Sequence, residues 1–513
     1  MTSDRRVLIL GDHPIVNDLT RQYVVMAVAV EHQPAMFGND VNINEYSELC
    51  LLTSPSGHDK IEEDSRAIDV LLRIAADYDV TAHDGHRLLC HLLLQSHTSL
   101  HLLQETDLCD AIRQQIDVYP FTLNDTWSRS IVLDYEPITL QSERIAHLVV
   151  FGMGEIAEAV AMNAAHVAHY PNFTRQSNLR TRITIIDDGA ELGCERWIQR
   201  YKALFDNSYW RIVKPQAEQV VCQFHQPDYV RRGMKDFVDV EWEFVEASSY
   251  HRMVREKLVL WTSSKSQQLL TVVVAHEQQE QNLDEAQHLP ESLYSSDVPI
   301  YVYLQHASLL QQLATTEKGL RPFGMTDRGY DVRQPIVQMA KTVNYIYNLC
   351  YRDNVENWTG RIRSAVEVDI EAREAMWQKV KAVKRMSNIY NAMSVATKMR
   401  SIGLRDDEWE RFYDIPQQDI ELLAEVEHNR WSVEELILGW RPCTEEEQQA
   451  VEADVSQKEE LKKRKIHYDL RPYDDLRSDA TGKPVALYDL CLCSCLPLIA
   501  KASSEEKGGE YGC

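Results

Sequence analysis

Gly152 and Gly154 stand one residue apart after the apolar run His147–Phe151, and an alanine-rich helical pattern follows them through Ala168. A strand, a tight turn and a helix in this order can cradle the pyrophosphate of a dinucleotide. Gly152 allows the turn, Gly154 lets the backbone approach a phosphate, and Ala157, the third small residue, lets the helix pack close. The N–H groups of Met153, Gly154, Glu155 and Ile156 at the helix start, with the positive end of its dipole, supply anion binding. The next apolar run, Arg182–Ile186, ends in Asp187-Asp188. Asp187 stands where a carboxylate accepts hydrogen bonds from the ribose hydroxyls. Its distance from the glycines exceeds the usual ~20 residues, because a loop around Tyr170-Pro171-Asn172 and Asn178 intervenes. NAD(H) is the expected cofactor, with NADPH the weaker ligand because Asp187 repels a 2′-phosphate. The alternative is a degenerate turn whose glycines serve packing alone.

A second set of chemically capable residues lies near the C-terminal end. Glu425, His428 and Trp431 are three apart on a helical pattern that ends at Gly439, and so share one face. Asp414 and Gln417 have the spacing of a capping box, with Pro416 in the first turn. Taken with Trp440, His467 and Leu470-Arg471-Pro472-Tyr473-Asp474-Asp475-Leu476, this stretch resembles the ryanodine-receptor-type repeat domain (RyR domain) over Ala424–Leu476. The stretch Leu148–Asp187 resembles the TrkA-N nucleotide-binding domain of potassium-transport regulators. Soluble bacterial proteins join those modules in this order, and Pro322–Met325 resembles a turn found in them. The chain departs from the RyR pattern in Arg441–Arg464, a longer charged insertion, and in Tyr468, which replaces a proline. The resemblance implies a nucleotide-type ligand for both modules. In the second, Trp431, Trp440, His467 and Tyr473 would supply ring faces, and Glu425 and His428 polar contacts. It also implies a sensor or regulator acting in signalling, phage defence or potassium-transport regulation, with a homo-oligomer, a transporter or an effector as partner.

The elements that must position these residues follow from pattern and composition. The 513 residues carry 54 Lys and Arg against 79 Asp and Glu, a net charge of −25, which disfavours nucleic acid as partner. No apolar run reaches the ~20 residues of a membrane helix, the start lacks a signal-peptide pattern, and the 11 cysteines lack a framework spacing. A cytoplasmic protein with reduced thiols is expected, without a metal. The histidines from His83 to His101 read as surface and core residues, and Cys491, Cys493 and Cys495 as buried thiols. Alternating strands and helices predict an α/β chain of tandem Rossmann-like, doubly wound parallel sheets, a helical linker and a small, mainly α-helical RyR-type domain. The boundaries are 1–140, with a decayed phosphate loop at Gly11-Asp12-His13-Pro14, then 141–330, 331–412 and 413–505. Within the second unit, helices are expected over Glu195–Leu204 and Ala307–Thr315, and a turn-rich exit over Arg321–Met325. Lys379, Lys381, Lys384 and Arg385 cluster in the linker as a solvated face, with anion binding as the alternative. An NAD-dependent oxidoreductase is the rival function; it would need a proton-donating His, Lys or Tyr near the nicotinamide, and no motif identifies one. A scaffold with two vestigial sites is the third reading.

Overall fold

The computed structural model describes residues 6–23, 27–31, 42–54, 59–105, 108–132, 137–216, 219–263, 267–305, 319–327, 329–352, 368–405, 408–477 and 485–503. The chain is α/β, with parallel sheets and helices packed on them. The first sheet holds β1 (Arg6–Leu10), β2 (Ala27–Glu31), β3 (Glu48–Leu52), β4 (Leu88–Leu93) and β5 (Ile116–Phe121), all parallel, in the order β2-β1-β3-β4-β5. Side-chain alternation along the strands sorts its two faces. Leu8, Leu10, Leu49, Leu51 and Leu92 share a core with Val70, Leu71 and Ile74 of the helix Lys60–Asp77. Val7, Ile9, Cys50 and Leu93 join the main core of the molecule instead. Tyr330 seals that second face. It stacks on Phe121 at 3.6 Å and its hydroxyl lies 2.8 Å from His91 Nδ1. Glu48 takes the other ring nitrogen of His91 at 2.8 Å, which makes His91 a core histidine.

The second sheet holds β6 (Ile145–Phe151), β7 (Thr181–Asp187), β8 (Tyr209–Gln216), β9 (Gln219–His225), β10 (Val240–Glu246), β11 (Gln268–Val274), β12 (Ile300–Tyr303) and β13 (Leu320–Phe323). Their order is β13-β12-β11-β6-β7-β10-β8-β9, parallel throughout except for the β8–β9 hairpin. Without that hairpin the six strands stand in the order 3-2-1-4-5-6. Strand β6 is covered on both faces, as its unbroken apolar run requires. Leu148 and Val150 pack with the helix Glu155–Val167, whereas Val149 and Phe151 pack with Val254 and Leu258 of the helix Arg252–Trp261.

Three local expectations change. The turn-rich exit Arg321–Met325 contains β13 as far as Phe323, and Pro322 is tolerated because β13 is an edge strand. The helix expected over Glu195–Leu204 is two helices, Ala190–Arg200 and Lys202–Asn207, separated at Tyr201. The helix Gln417–Ile437 begins after Pro416 with no side-chain cap. Asp414 instead ends the 3₁₀ turn Trp409–Asp414, and Ile415 and Pro416 are extended, so its carboxylate stands too far back to cap. The helix expected over Ala307–Thr315 lies outside the described residues. Among the described residues no helix is long and apolar enough to cross a membrane, and no group of His, Cys, Asp and Glu could hold a metal ion. Cys491, Cys493 and Cys495 are buried.

The helices Glu155–Val167, Ala382–Ser401 and Gln417–Ile437 pack on one another around buried charge. Lys398 donates to Glu427 at 2.5 Å and Asn391 donates to the same carboxylate at 2.6 Å. Arg430 donates to Glu427 at 3.0 Å and to Glu434 at 2.7 Å. All four charged side chains are at most 3% exposed. Burial pushes the Glu427 carboxyl up, but Arg430 and Lys398 outweigh it and hold the group down at about 2. Replacing Arg430 by Met strands Glu434 without its cation and should cost about 3–5 kcal/mol. The double variant Arg430→Met/Glu434→Gln should recover part of that loss in urea unfolding followed by tryptophan fluorescence. Equal losses in the two variants would assign the effect to packing volume instead of charge.

Candidate functional site

Gly152 ends β6 with φ +111°, and a Cβ there would lie 2.7 Å from the Ala275 carbonyl oxygen. Only glycine fits this left-handed, crowded position. Its N–H donates to the Ile186 carbonyl at 3.0 Å, while the Ala275 N–H donates to the Phe151 carbonyl at 2.8 Å. The turn therefore hangs between β7 and β11, where the strand order switches from one side of β6 to the other. Gly154 is the N-cap of the helix Glu155–Val167 and offers no side-chain cap to its first turn.

The expected cofactor residues divide at this turn. The Ile156 side chain is core, so only its backbone is available. Met153 reaches across to the helix Ala190–Arg200, where a Cβ on Gly193 would come within 2.0 Å of its Cε. Asp187 ends β7 beside the glycine turn. It accepts the Gly189 N–H at 2.8 Å, and its other oxygen lies 3.8 Å from His276 Nδ1. A cavity of about 570 Å³ is lined by Met153, Gly154, Glu155, Asp187, Arg200 and His276, among others.

Sequence reasoning missed the residues that follow β11. His276 meets Glu285 at 2.5 Å through Nε2. Asn282 holds the His276 backbone, accepting its N–H at 2.7 Å and donating to its carbonyl at 2.8 Å. Glu277 lies over the turn, with its Cγ 2.9 Å from where a Cβ on Gly154 would stand. The room Gly154 leaves is thus taken by a carboxylate, which a pyrophosphate would have to displace. The available signal was positional, because the strand beside β6 in a sheet of this order ends at the same cleft. Charge in the cleft is mixed. Lys60 pairs with Glu155 at 2.7 Å and Arg200 with Glu158 at 3.0 Å.

The structure brings the expected C-terminal rings into one chain. The parallel pair β14 (Arg441–Pro442) and β15 (Ile466–His467) carries Trp440 to His467, at 5.7 Å between centroids. His467 meets Trp431 at 5.0 Å, Trp431 meets His428 at 5.6 Å, and His428 meets Tyr473 at 5.8 Å. Both tryptophans contact His467 nearly edge-to-face, at 76° and 74°, a geometry that packs rings against one another. The polar groups are engaged by the protein. His428 Nε2 lies 2.8 Å from the Arg471 carbonyl, the Tyr473 hydroxyl donates to the Ala486 carbonyl at 3.0 Å, and Glu425 pairs with Lys235 at 3.2 Å. His428 and Tyr473 are buried, whereas Trp431, Trp440 and His467 are half-buried and leave accessible surface. Cavities of about 730, 570 and 400 Å³ lie elsewhere in the molecule. The insertion after Trp440 folds into the helices Glu445–Ala453 and Gln457–Lys462, the first held by a Thr444–Glu447 capping box.

Titration separates the groups around these rings. Burial lowers the His467 imidazole to about 4. Burial also raises the Glu435 carboxyl to about 7, against the opposing pull of Lys384, Trp431 and Arg430 and with Glu434 adding to the rise. A carboxyl raised above its unfolded value of about 4.5 favours folding below that pH, and the benefit is lost as pH rises through about 7. Glu435→Gln should therefore raise the melting temperature at pH 8 and leave it nearly unchanged at pH 4.5. The difference corresponds to about 3 kcal/mol. A pH-independent effect of the substitution would contradict this assignment.

Comparison of the chain with protein-family models, with curated proteins and with solved structures finds no significant match.

Proposed function

We propose that this chain is a nucleotide-binding regulatory protein, in which a Rossmann unit of TrkA-N type takes NAD(H) and a RyR-type domain takes a second ligand. One observation carries the reading: the glycine turn stands at the switch point of a sheet ordered 3-2-1-4-5-6, with Asp187 at the end of the adjacent strand. Ligands of open α/β sheets bind outside the carboxyl ends of the strands at such a point. Regulation is favoured by where the turn's own helix leads. The helix Glu155–Val167 starts at the cleft and carries His166, which stacks on Tyr390 at 3.7 Å beside the buried ion network. A displacement at the turn would thus be felt where the C-terminal helices pack.

Calorimetric titration of the full chain tests the cofactor. NADH should bind saturably and more tightly than NADPH. Asp187→Ala should weaken NADH about tenfold or more and remove the preference, since each lost charge-assisted hydrogen bond is worth about 1.5–3 kcal/mol. Glu277→Gln should strengthen both dinucleotides, because it removes a carboxylate from the pyrophosphate's place. No binding by wild type, or binding indifferent to Asp187, would remove the proposal. Hydride transfer has one observation in its favour: His276, which pairs with Glu285, lines the same cavity. Steady NADH turnover on carbonyl substrates that disappears in His276→Gln would replace regulation by catalysis.

For the second module the reading rests on the half-buried faces of Trp431, Trp440 and His467. Base stacking on an aromatic side chain is worth about 1–3 kcal/mol. With AMP as the probe, wild type should show saturable quenching of tryptophan fluorescence. Trp440→Ala should lose it while the melting temperature stays nearly constant. A large drop in melting temperature, with no quenching in wild type, would return the rings to the core.

A further inference from the structure

The cavity of about 730 Å³ borders neither the glycine turn nor the aromatic chain. It lies between the edge strand β5, the segment Gly329–Val337 and the helices Ile370–Trp377 and Ala382–Ser401. Its volume falls within the range of small-molecule sites, which favour the junctions between domains. Three parts of the chain meet here. Among the described residues strand β5 ends the first sheet, so no further strand covers its outer side there. The linker helices stop at Trp377 and resume at Ala382, and residues on both sides of that break line the space.

The walls combine an apolar, ring-rich interior with cations. Phe121, Trp377, Tyr330 and Tyr119 supply ring surface, and Met386 and Met393 supply adaptable apolar surface. One wall is locked by its own hydrogen bonds. Trp377 Nε1–H donates to the Tyr119 hydroxyl at 3.0 Å, Tyr119 donates to Asp117 at 3.2 Å, and Arg385 donates to Asp117 at 2.8 Å. Asp117 also lies 3.8 Å from Arg87, so two guanidiniums share one carboxylate. Asp331 is taken by Arg333, outside the cavity, at 2.9 Å. Lys379, exposed beside the helix break, has no ion pair among the described residues. Arg129 pairs with Asp125 at 2.5 Å, but its buried Nε–H has no acceptor among the described residues. In a chain of net charge −25, this cavity carries five basic residues, Arg87, Arg113, Arg129, Lys379 and Arg385, against the acids Asp110, Asp117 and Asp331.

We infer that this cavity binds a small aromatic organic anion, its ring body against Phe121, Trp377 and the methionines and its charged group on Arg129, with Lys379 attracting it at the mouth. Such a ligand would join β5 to the helix Ala382–Ser401. That helix also carries Tyr390, against His166, and Lys398 of the ion network. The site would therefore act on the same helix that packs against the glycine-turn helix.

A matched pair of fluorescent probes tests this on the full chain. 1-Anilinonaphthalene-8-sulfonate carries the anion, and N-phenyl-1-naphthylamine is the same ring frame without it. The sulfonate should bind at a single saturable site, at least about tenfold more tightly than the neutral probe, the discrimination of one charge-assisted hydrogen bond. The double variant Asp125→Asn/Arg129→Gln removes the cation without stranding a buried carboxylate, and should bring the sulfonate down to the affinity of the neutral probe. Ile336→Trp, or Met386→Trp should the first fail to fold, fills the cavity from a half-buried wall position and should abolish binding of both probes. Equal affinity of the two probes for wild type, no saturable binding, full displacement by NADH, or binding unaffected by either filling variant would overturn the proposal.

Discussion

Burying four charges in the middle of a helical interface is the constraint on which the rest of the molecule depends. Each ion taken from water costs several kcal/mol, and only near-ideal pairing offsets that cost. Lys398 must therefore face Glu427, and Arg430 must stand between Glu427 and Glu434. That requirement sets the register of the helix Ala382–Ser401 against Gln417–Ile437. It extends to the glycine-turn helix through the His166–Tyr390 stack. The position of the candidate dinucleotide turn is tied in this way to the packing of the C-terminal helices.

The two parallel sheets use the same turn for different ends. Gly11 closes β1 with φ +129°, and a Cβ there would stand 2.3 Å from the Leu52 carbonyl oxygen, as Gly152 crowds Ala275. His13 then occupies the place of a second glycine. Its ring is buried and accepts the Ile15 N–H at 3.2 Å, and burial lowers it to about 4. The first sheet spends its second face on contact with the rest of the protein, through Tyr330, Phe121 and His91.

The two candidate sites, at Gly154 and at Trp431, share a property: the groups that would meet a ligand already meet protein. Glu277 covers Gly154, and the rings of the aromatic chain contact one another. Occupation of either site is then an exchange of one set of contacts for another. An exchange shifts a population between two arrangements when the ligand prefers one of them. The cavity beside β5 differs, because Trp377, Tyr119, Asp117 and Arg385 bond to one another along one wall and leave open space in front of them.

What could be read from the sequence was local. The run His147–Phe151 with its two glycines specifies a strand and a left-handed turn through the sterics of a few residues, and the structure places β6 and Gly152 accordingly. The three-residue spacing of Glu425, His428 and Trp431 follows from helix geometry alone, and so does the stop at Gly439, where φ is +81°. Strands such as β5, with Asp117 and Pro120, and β9, exposed along nearly its whole length, were illegible because no two-residue apolar alternation marks them. The capping box failed for a similar reason, since Ile415 and Pro416 adopt extended backbone that composition does not dictate. Tertiary structure alone decided that Glu277 lies over Gly154, that Lys398 reaches Glu427 and that β5 leaves a cavity beside Trp377. Residues 123 apart in the first case and, for Tyr119 and Trp377, 258 apart in the last meet only when whole elements pack. Periodicity records which face of an element is apolar, and is silent on which distant face will cover it.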